Sequence, residues 1–513
     1  MRLSLRAVTI LAASLVALPI LVVRTSTQAV SSEAAEVQLQ LGDLLYEQGR
    51  FIESFDAYEV AAKVTDTRLR RRALAGKVRA RLRMAEFATA YDDARALIEL
   101  SPRDPEAVTL YGDALWALGR FQDSEQRFEE ALTLNPESSR ARHGRARSLA
   151  SRSQLDQALD EAQAALRLAP RDGEIHHTVG TIYERMRRYE EAANAYGSYV
   201  NLLPNKDRSV KAAWSRAEVE FLRAFKSRVP FEADPSVWKQ LHTVPFRTVN
   251  EKVMVKAKVN KGSPMDFVLD TGSELTVITR DVASRLGVKA ISETLSAGVG
   301  DFGLRGLQVG RIDTLTIGTL ELRNVPCLIK NPPLRGLPTR EAESFSPISL
   351  GLSMLIDYGR QELLIGSELP QEPYDYKLPL RVHRLAMVQG MVNDGPANFV
   401  VDTGGQVISI SSDTASSLDR DQSVRQIPLK VYGTSGWDKD AFLLPGVHLA
   451  FQGIQYSNFP VVVLNLRAPS ILLGFQLGGI VGHKFLSPYR VAIDLKTSEM
   501  RLKRLPGAAQ ASH

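Results

Sequence analysis

One seven-residue frame occurs twice in this chain: Phe267-Val-Leu-Asp-Thr-Gly-Ser273 and, 402 − 270 = 132 residues later, Phe399-Val-Val-Asp-Thr-Gly-Gly405. A repeat of that kind confines the C-terminal half to two lobes of similar build, each delivering Asp-Thr-Gly at the end of an apolar strand. If the copies converge, the carboxyls of Asp270 and Asp402 cannot both ionise. They then share one proton and leave one general base and one general acid. Gly272 and Gly404 permit a tight turn with N–H groups aimed at the carboxylate, and Thr271 and Thr403 can bridge to the opposite lobe through their hydroxyls. The copies differ at the next position, Ser273 against Gly405. A Ser273 hydroxyl donating to Asp270 would favour its ionised form, making Asp270 the base and Asp402 the protonated partner.

The duplication extends beyond the frame. Pro245-Phe-Arg answers Pro379-Leu-Arg, and Asn324-Val-Pro answers Asn458-Phe-Pro. Each half closes with an apolar pair and a glycine, at Leu350-Gly351 in the first and Ile480-Val481-Gly482 in the second, followed by tails at 356–365 and 491–502. Short β-branched runs punctuated by glycine give the whole stretch an all-β composition.

This doubled order resembles the retropepsin-like aspartic proteases of the retroviral and pepsin superfamily, with both lobes in one chain. The resemblance implies an aspartic endopeptidase that holds a water between Asp270 and Asp402 and hydrolyses polypeptide without a cofactor or metal. It makes Thr271, Gly272, Ser273, Thr403 and Gly404 supports of the active-site loops. It also places flaps near 298–303 and 431–437, with Gly300, Phe302, Tyr432 and Trp437 as candidate flap residues. The pattern Gly298-Val-Gly-Asp-Phe-Gly303 imitates a dinucleotide fingerprint, but strand-like sequence follows it where a helix is needed. A proline-rich insert at 331–347 sets the first lobe apart from the second.

The N-terminal third obeys a different rule. Prolines fall at 102, 136, 170 and 204, and 136 − 102, 170 − 136 and 204 − 170 all equal 34. Small residues and aromatics recur between them, as in Leu41-Gly42 with Tyr58, Tyr111-Gly112 with Phe128, and Val179-Gly180 with Tyr196. The pattern predicts about five two-helix units between 34 and 206, the second degenerate because Val78 stands where glycine is expected, and a capping helix at 210–226. This stretch resembles the tetratricopeptide-repeat (TPR) family, which implies a groove for a protein or peptide partner. The basic run Arg68, Arg70, Arg71, Arg72, Lys77, Arg79, Arg81 and Arg83 either lines that groove or forms a solvated helix face.

The predicted organisation is an all-α TPR solenoid followed by an all-β bilobal protease. The segments are a signal peptide or membrane anchor at 1–29, the TPR domain at 34–228, a linker at 229–243, lobe 1 at 244–369, lobe 2 at 370–506 and a tail at 507–513. Arg2 and Arg6 ahead of an apolar run at 7–23 read as an export signal or a single N-terminal membrane anchor. Export with a lone cysteine, Cys327, suits a bacterial periplasm, with that thiol buried and inert. A net charge of +6 would permit nucleic acid, but no nucleic-acid-binding spacing accompanies it. The alternative to an exported protease is a non-catalytic periplasmic TPR scaffold whose protease-like domain only binds peptide.

Overall fold

A computed structural model of the chain describes residues 30–204, 209–299, 304–330, 343–418, 426–433 and 436–507. The predicted leader, Gly300, Phe302 and most of the proline-rich insert lie outside them.

Five helix pairs open the described chain: α1 Ser32–Glu47 with α2 Phe51–Ala61, α3 Thr67–Arg83 with α4 Phe87–Leu100, and α5 Pro105–Ala117 with α6 Phe121–Leu134. There follow α7 Ser139–Ser151 with α8 Leu155–Leu168, α9 Gly173–Arg185 with α10 Tyr189–Leu202, and a single helix, α11 Val210–Ala224. The side chains of Asp66, Asp104, Ser138 and Asp172 cap the first helix of units two to five by accepting from backbone N–H groups. Each of the four periodic prolines stands two residues beyond the end of a second helix, where no further helical N–H is required.

Glycine spacing sets how closely units stack. Phe128 is fully buried, and a Cβ at Gly112 or Gly144 would lie 2.8 or 2.5 Å from its ring. Tyr58 is clasped in the same way by Gly42 and Gly76, at 2.6 and 2.5 Å. Unit two is therefore not degenerate: its glycine is Gly76, two residues before the position that the Gly112 register assigned to Val78. Replacing Phe128 by alanine is expected to lower the stability of the array by about 3–5 kcal/mol, read as a lower urea midpoint, because two backbones close on an empty slot.

The basic run on α3 neither lines an open groove nor forms a purely solvated face. Arg71 pairs with Asp104, Arg72 with Glu36, Lys77 and Arg81 with Asp93, and Arg83 reaches Glu174 three units further on. Only Arg68 and Arg70 of the run are exposed. The cations stitch neighbouring helices, and Lys77 and Arg81 also lie over the Phe55 ring.

The β domain begins with lobe 1: β1 His242–Val249, β2 Lys252–Val259, β3 Met265–Leu269, β4 Thr276–Thr279, β5 Ala290–Ala297, β6 Leu304–Ile317, β7 Leu320–Lys330, β8 Ser344–Phe345, β9 Ser353–Asp357 and β10 Glu362–Gly366. Lobe 2 repeats the plan with β11 Tyr376–His383, β12 Leu385–Val392, β13 Gly395–Val401, β14 Ile408–Ser411, β15 Ile427–Pro428, β16 Val431–Gly433, β17 Gly436–Asp438, β18 Phe442–Phe451, β19 Ile454–Leu464, β20 Gly479–Val481, β21 Tyr489–Asp494 and β22 Glu499–Arg504. The two tails noticed in the sequence meet in one antiparallel sheet ordered β1-β10-β9-β21-β22-β11, with β9 and β21 at its centre. Pro245 and Pro379 occupy equivalent places, each the last residue of its strand paired in this sheet before the strand crosses to its own lobe. A continuous apolar core runs through both lobes beneath it.

The array folds back onto the β domain. Phe121 of α6 meets Phe475 edge-on at 5.1 Å, and Trp116 of α5 lies 6.1 Å from the His383 ring. The turn between β11 and β12 faces α5, α7 and α9, where Arg185 donates to the Val382 carbonyl at 3.2 Å. The first-helix face of the last three units is thus occupied by the chain's own lobe 2.

Candidate active site

Each Asp-Thr-Gly turn is held from behind by a parallel strand. In lobe 2, β13 pairs with β20, and the Asp402 N–H donates to the Val481 carbonyl at 3.0 Å. Gly482 then passes so close behind the loop that a Cβ there would meet the Gly405 carbonyl at 2.6 Å. In lobe 1, β3 pairs with the two-residue β8, and the Asp270 N–H donates to Phe345 at 2.9 Å. The counterpart of Val481 is therefore Phe345, and the apolar-apolar-glycine reading of Leu350-Gly351 is corrected. Leu350 ends a short 3-10 turn, and Gly351 makes a left-handed turn at φ 65° into β9. Phe345 lies between serines, so no apolar run announced it.

The two turns meet face to face. The Thr271 N–H donates to the Thr403 hydroxyl at 3.1 Å and the Thr403 N–H to the Thr271 hydroxyl at 3.1 Å. The hydroxyls in turn donate across the interface, Thr271 to the Val401 carbonyl at 2.5 Å and Thr403 to the Leu269 carbonyl at 2.6 Å. Both threonines are fully buried, so this four-bond knot fixes the separation of the lobes. Within each turn the glycine N–H donates to its own aspartate, Gly272 to Asp270 at 3.1 Å and Gly404 to Asp402 at 2.9 Å.

The glycines also face the opposite carboxyl. A Cβ on Gly272 would lie 2.5 Å from Asp402 Cγ, and one on Gly404 would lie 2.9 Å from Asp270 Oδ1. Any side chain at either position would drive into the facing carboxylate. Asp270 and Asp402 consequently share the floor of one cavity.

Burial pushes both carboxyls above the usual range, and their environments then separate them. On Asp402 the charge of Asp270 adds to burial and raises it to about 7, against the N–H groups of Gly404 and Gly405. On Asp270 the rise is opposed by the charge of Lys330, then by the neighbouring Ser344 hydroxyl and the Gly272 N–H. The direction matches the assignment of Asp270 as base, but its cause is not Ser273. That hydroxyl donates to the Leu275 carbonyl at 2.9 Å. The residue opposite Ser344 in the repeat is Ile480, since Val268 faces Ser344 and Val400 faces Ile480, and the residue opposite Lys330 is Leu464 by the same register. Aligning the halves on Asn324 and Asn458, 458 − 324 = 134, would have paired Lys330 with Leu464, but Ser344 and Ile480 stand 480 − 344 = 136 apart and only the structure pairs them. Ser344→Ala is therefore expected to move the acidic limb of kcat/KM to higher pH, while Ser273→Ala leaves it in place. Parallel pH–rate profiles check this.

Two hairpins reach over the cavity. The β5/β6 hairpin carries Val299 near its tip, and β16/β17 sets Tyr432 opposite Trp437. The hairpins touch: a Cβ on Gly433 would lie 2.3 Å from the Val299 carbonyl oxygen. Gly433, rather than Trp437, lines the cavity from the second hairpin, and of Tyr432 only the backbone is described. Strand β6, following the glycine pattern at 298–303, confirms that no helix opens there. Cys327 is buried in β7, and burial pushes its thiol up to about 12.

Two matches with known families follow this division. Residues 255–368 and 388–477 match the aspartyl protease family, and residues 76–139 and 110–173 match the tetratricopeptide repeat. The chain joins a TPR-like helical region to an aspartyl protease-like β domain. Among solved structures, a thermophilic TPR protein of Thermus thermophilus is 23% identical, covers 34% of this chain and 93% of its own, and has a TM-score of 0.30. An aspartic proteinase from Irpex lacteus is 13% identical, covers 53% of this chain and 100% of its own, and has a TM-score of 0.33. No curated protein matches the chain.

The protease-family domain and the TPR domain share the cavity. Thr181, Glu184, Trp214 and Glu218 of the array stand in its wall with Glu274 and Arg384 of the two lobes. Helix α11 packs on the β5/β6 hairpin through Trp214, Phe221 and Leu222 against Leu295, Leu307 and Val309. None of these residues was singled out in the sequence, because their contacts join positions some 70 to 200 residues apart and follow no period.

Proposed function

We propose that the chain is an aspartic endopeptidase whose TPR array helps to position protein substrates. The observation that carries the reading is the crosswise approach of the two turns, each glycine facing the other lobe's carboxyl, with Asp402 raised to about 7. Ionised Asp270 takes a proton from the water as its oxygen adds to the scissile carbonyl carbon, while protonated Asp402 donates to the carbonyl oxygen. Collapse of the tetrahedral species breaks the C–N bond, the amine nitrogen taking a proton from the dyad. The touching hairpins and the array above them must part or thread a chain, which suits an unfolded polypeptide better than a folded surface.

The deciding experiment incubates purified protein with an unfolded polypeptide and a peptide library at mildly acidic pH. Cleavage by the wild type and by neither Asp270→Asn nor Asp402→Asn supports the reading. Peptide binding without cleavage supports the scaffold alternative, which the closed hairpins favour. We further propose export to a bacterial periplasm, supported by the basic and apolar leader. Mass spectrometry of the mature N-terminus tests whether the leader is removed or retained as an anchor.

A further inference from the structure

The cavity above the dyad has a volume of about 1300 Å³, and one wall of it comes from outside the protease-family domain. The charges on that wall do not balance. Arg384 sits at the turn between β11 and β12 in a left-handed conformation, φ 66°, and its guanidinium lies 4.0 Å above the Trp214 ring. It pairs with Glu274 at 2.6 Å, one residue beyond Ser273 of the catalytic turn. Glu184 of α9 and Glu218 of α11 face the same guanidinium, and Arg185 acts on Glu184 as well, so three carboxyls meet two cations. Arg185, the next cation along α9, is committed to the Ala150 and Val382 carbonyls and the Ser153 hydroxyl. Glu184 accepts from the Tyr196 phenol at 2.8 Å, and Glu218 is only 4% exposed.

A second observation points to a missing ligand. Thr294, on β5, is 7% exposed and lines the same cavity; its hydroxyl comes near Glu218 without completing a hydrogen bond. A buried hydroxyl left in that state is destabilising. It stands where an incoming N–H donor would find an acceptor, with surplus carboxyls beside it. Burial pushes Glu184 and Glu218 above the usual carboxylate range, and the charge of Glu274 on both, with that of Glu184 on Glu218, adds to it against Arg384.

We propose that this wall is a subsite for a basic side chain of the polypeptide substrate, a lysine or arginine entering between Glu184 and Glu218 and donating to Thr294. The array is then part of the substrate-binding cleft and sets its specificity. The inference rests on the protease reading for its substrate, but its test is independent of turnover. Fluorescent peptides identical except for Lys or Arg against Gln or norleucine at one position, scanned along the peptide, are titrated by anisotropy into Asp402→Asn. The basic peptides are expected to bind roughly tenfold tighter or more at one position. That ratio should fall toward unity when Glu184→Gln or Glu218→Gln is added, and fall in part with Thr294→Val, in proteins whose circular dichroism is unchanged. Equal binding of basic and neutral peptides, no peptide binding, or a preference that survives both glutamine changes overturns the proposal. If the wild type binds basic peptides preferentially but hydrolyses none, the protease reading fails and the subsite stands.

Discussion

Asp402→Asn and Asp270→Asn should each abolish peptide hydrolysis while leaving the protein folded. The acid–base contribution alone accounts for roughly 10²–10⁴-fold in rate. Both losses should be comparable, because either amide removes the shared proton or the base that uses it. Asparagine matches aspartate in shape, so the glycine N–H donors of Gly272 and Gly404 keep an acceptor and the threonine knot is untouched. The measurement is kcat/KM on a peptide cleaved by the wild type, with urea unfolding as the control. Residual activity in either variant above a few per cent would contradict a two-carboxyl mechanism.

The same substitution should stabilise the protein above neutrality. Asp402 is raised to about 7 in the folded chain, whereas an unfolded aspartate titrates near ~3.9. Below about pH 4 the carboxyl is protonated in both states and contributes no pH dependence. Between about 4 and 7 the unfolded chain ionises first, so wild-type stability falls as pH rises, by up to about 1.4 kcal/mol per unit. Above about 7 the folded carboxyl ionises too, and the loss levels off. Asp402→Asn lacks this term, so its urea midpoint should exceed that of the wild type at pH 8 and approach it at pH 4. Hydrolysis should fade over the upper part of the same range, because the acid that donates to the carbonyl oxygen is lost as pH passes about 7.

Much of the fold was legible because it is periodic or duplicated. The 34-residue proline ladder gave the five helix pairs, and the 132-residue repeat gave the two lobes, the two tails and the paired turns. The errors came where spacing slips while function does not. Gly76 does for Tyr58 what Gly144 does for Phe128, and it keeps the 34-residue step from Gly42 (76 − 42 = 34) while standing 36 residues before Gly112 (112 − 76 = 36), the glycine that set the register. Phe345 does for Asp270 what Val481 does for Asp402, from a segment with no apolar neighbours to announce it. Ser273 looked like the tuning residue because it is adjacent in sequence, but the hydroxyl that reaches Asp270 is that of Ser344, more than 70 positions away. The wall built from Glu184, Trp214, Glu218 and Arg384 had no sequence signature at all, since it exists only once the array folds back.

Joining both lobes through one six-stranded sheet has an outcome that two identical subunits could never reach. In a symmetric pair, whatever flanks one aspartate flanks the other, and the shared proton has no preferred home. Here a lysine and a serine stand on one side where a leucine and an isoleucine stand on the other. Covalent tethering has released each half to drift chemically, so that acid and base become permanent offices held by separate residues, and a substrate threading the cleft meets the same polarity on every turnover.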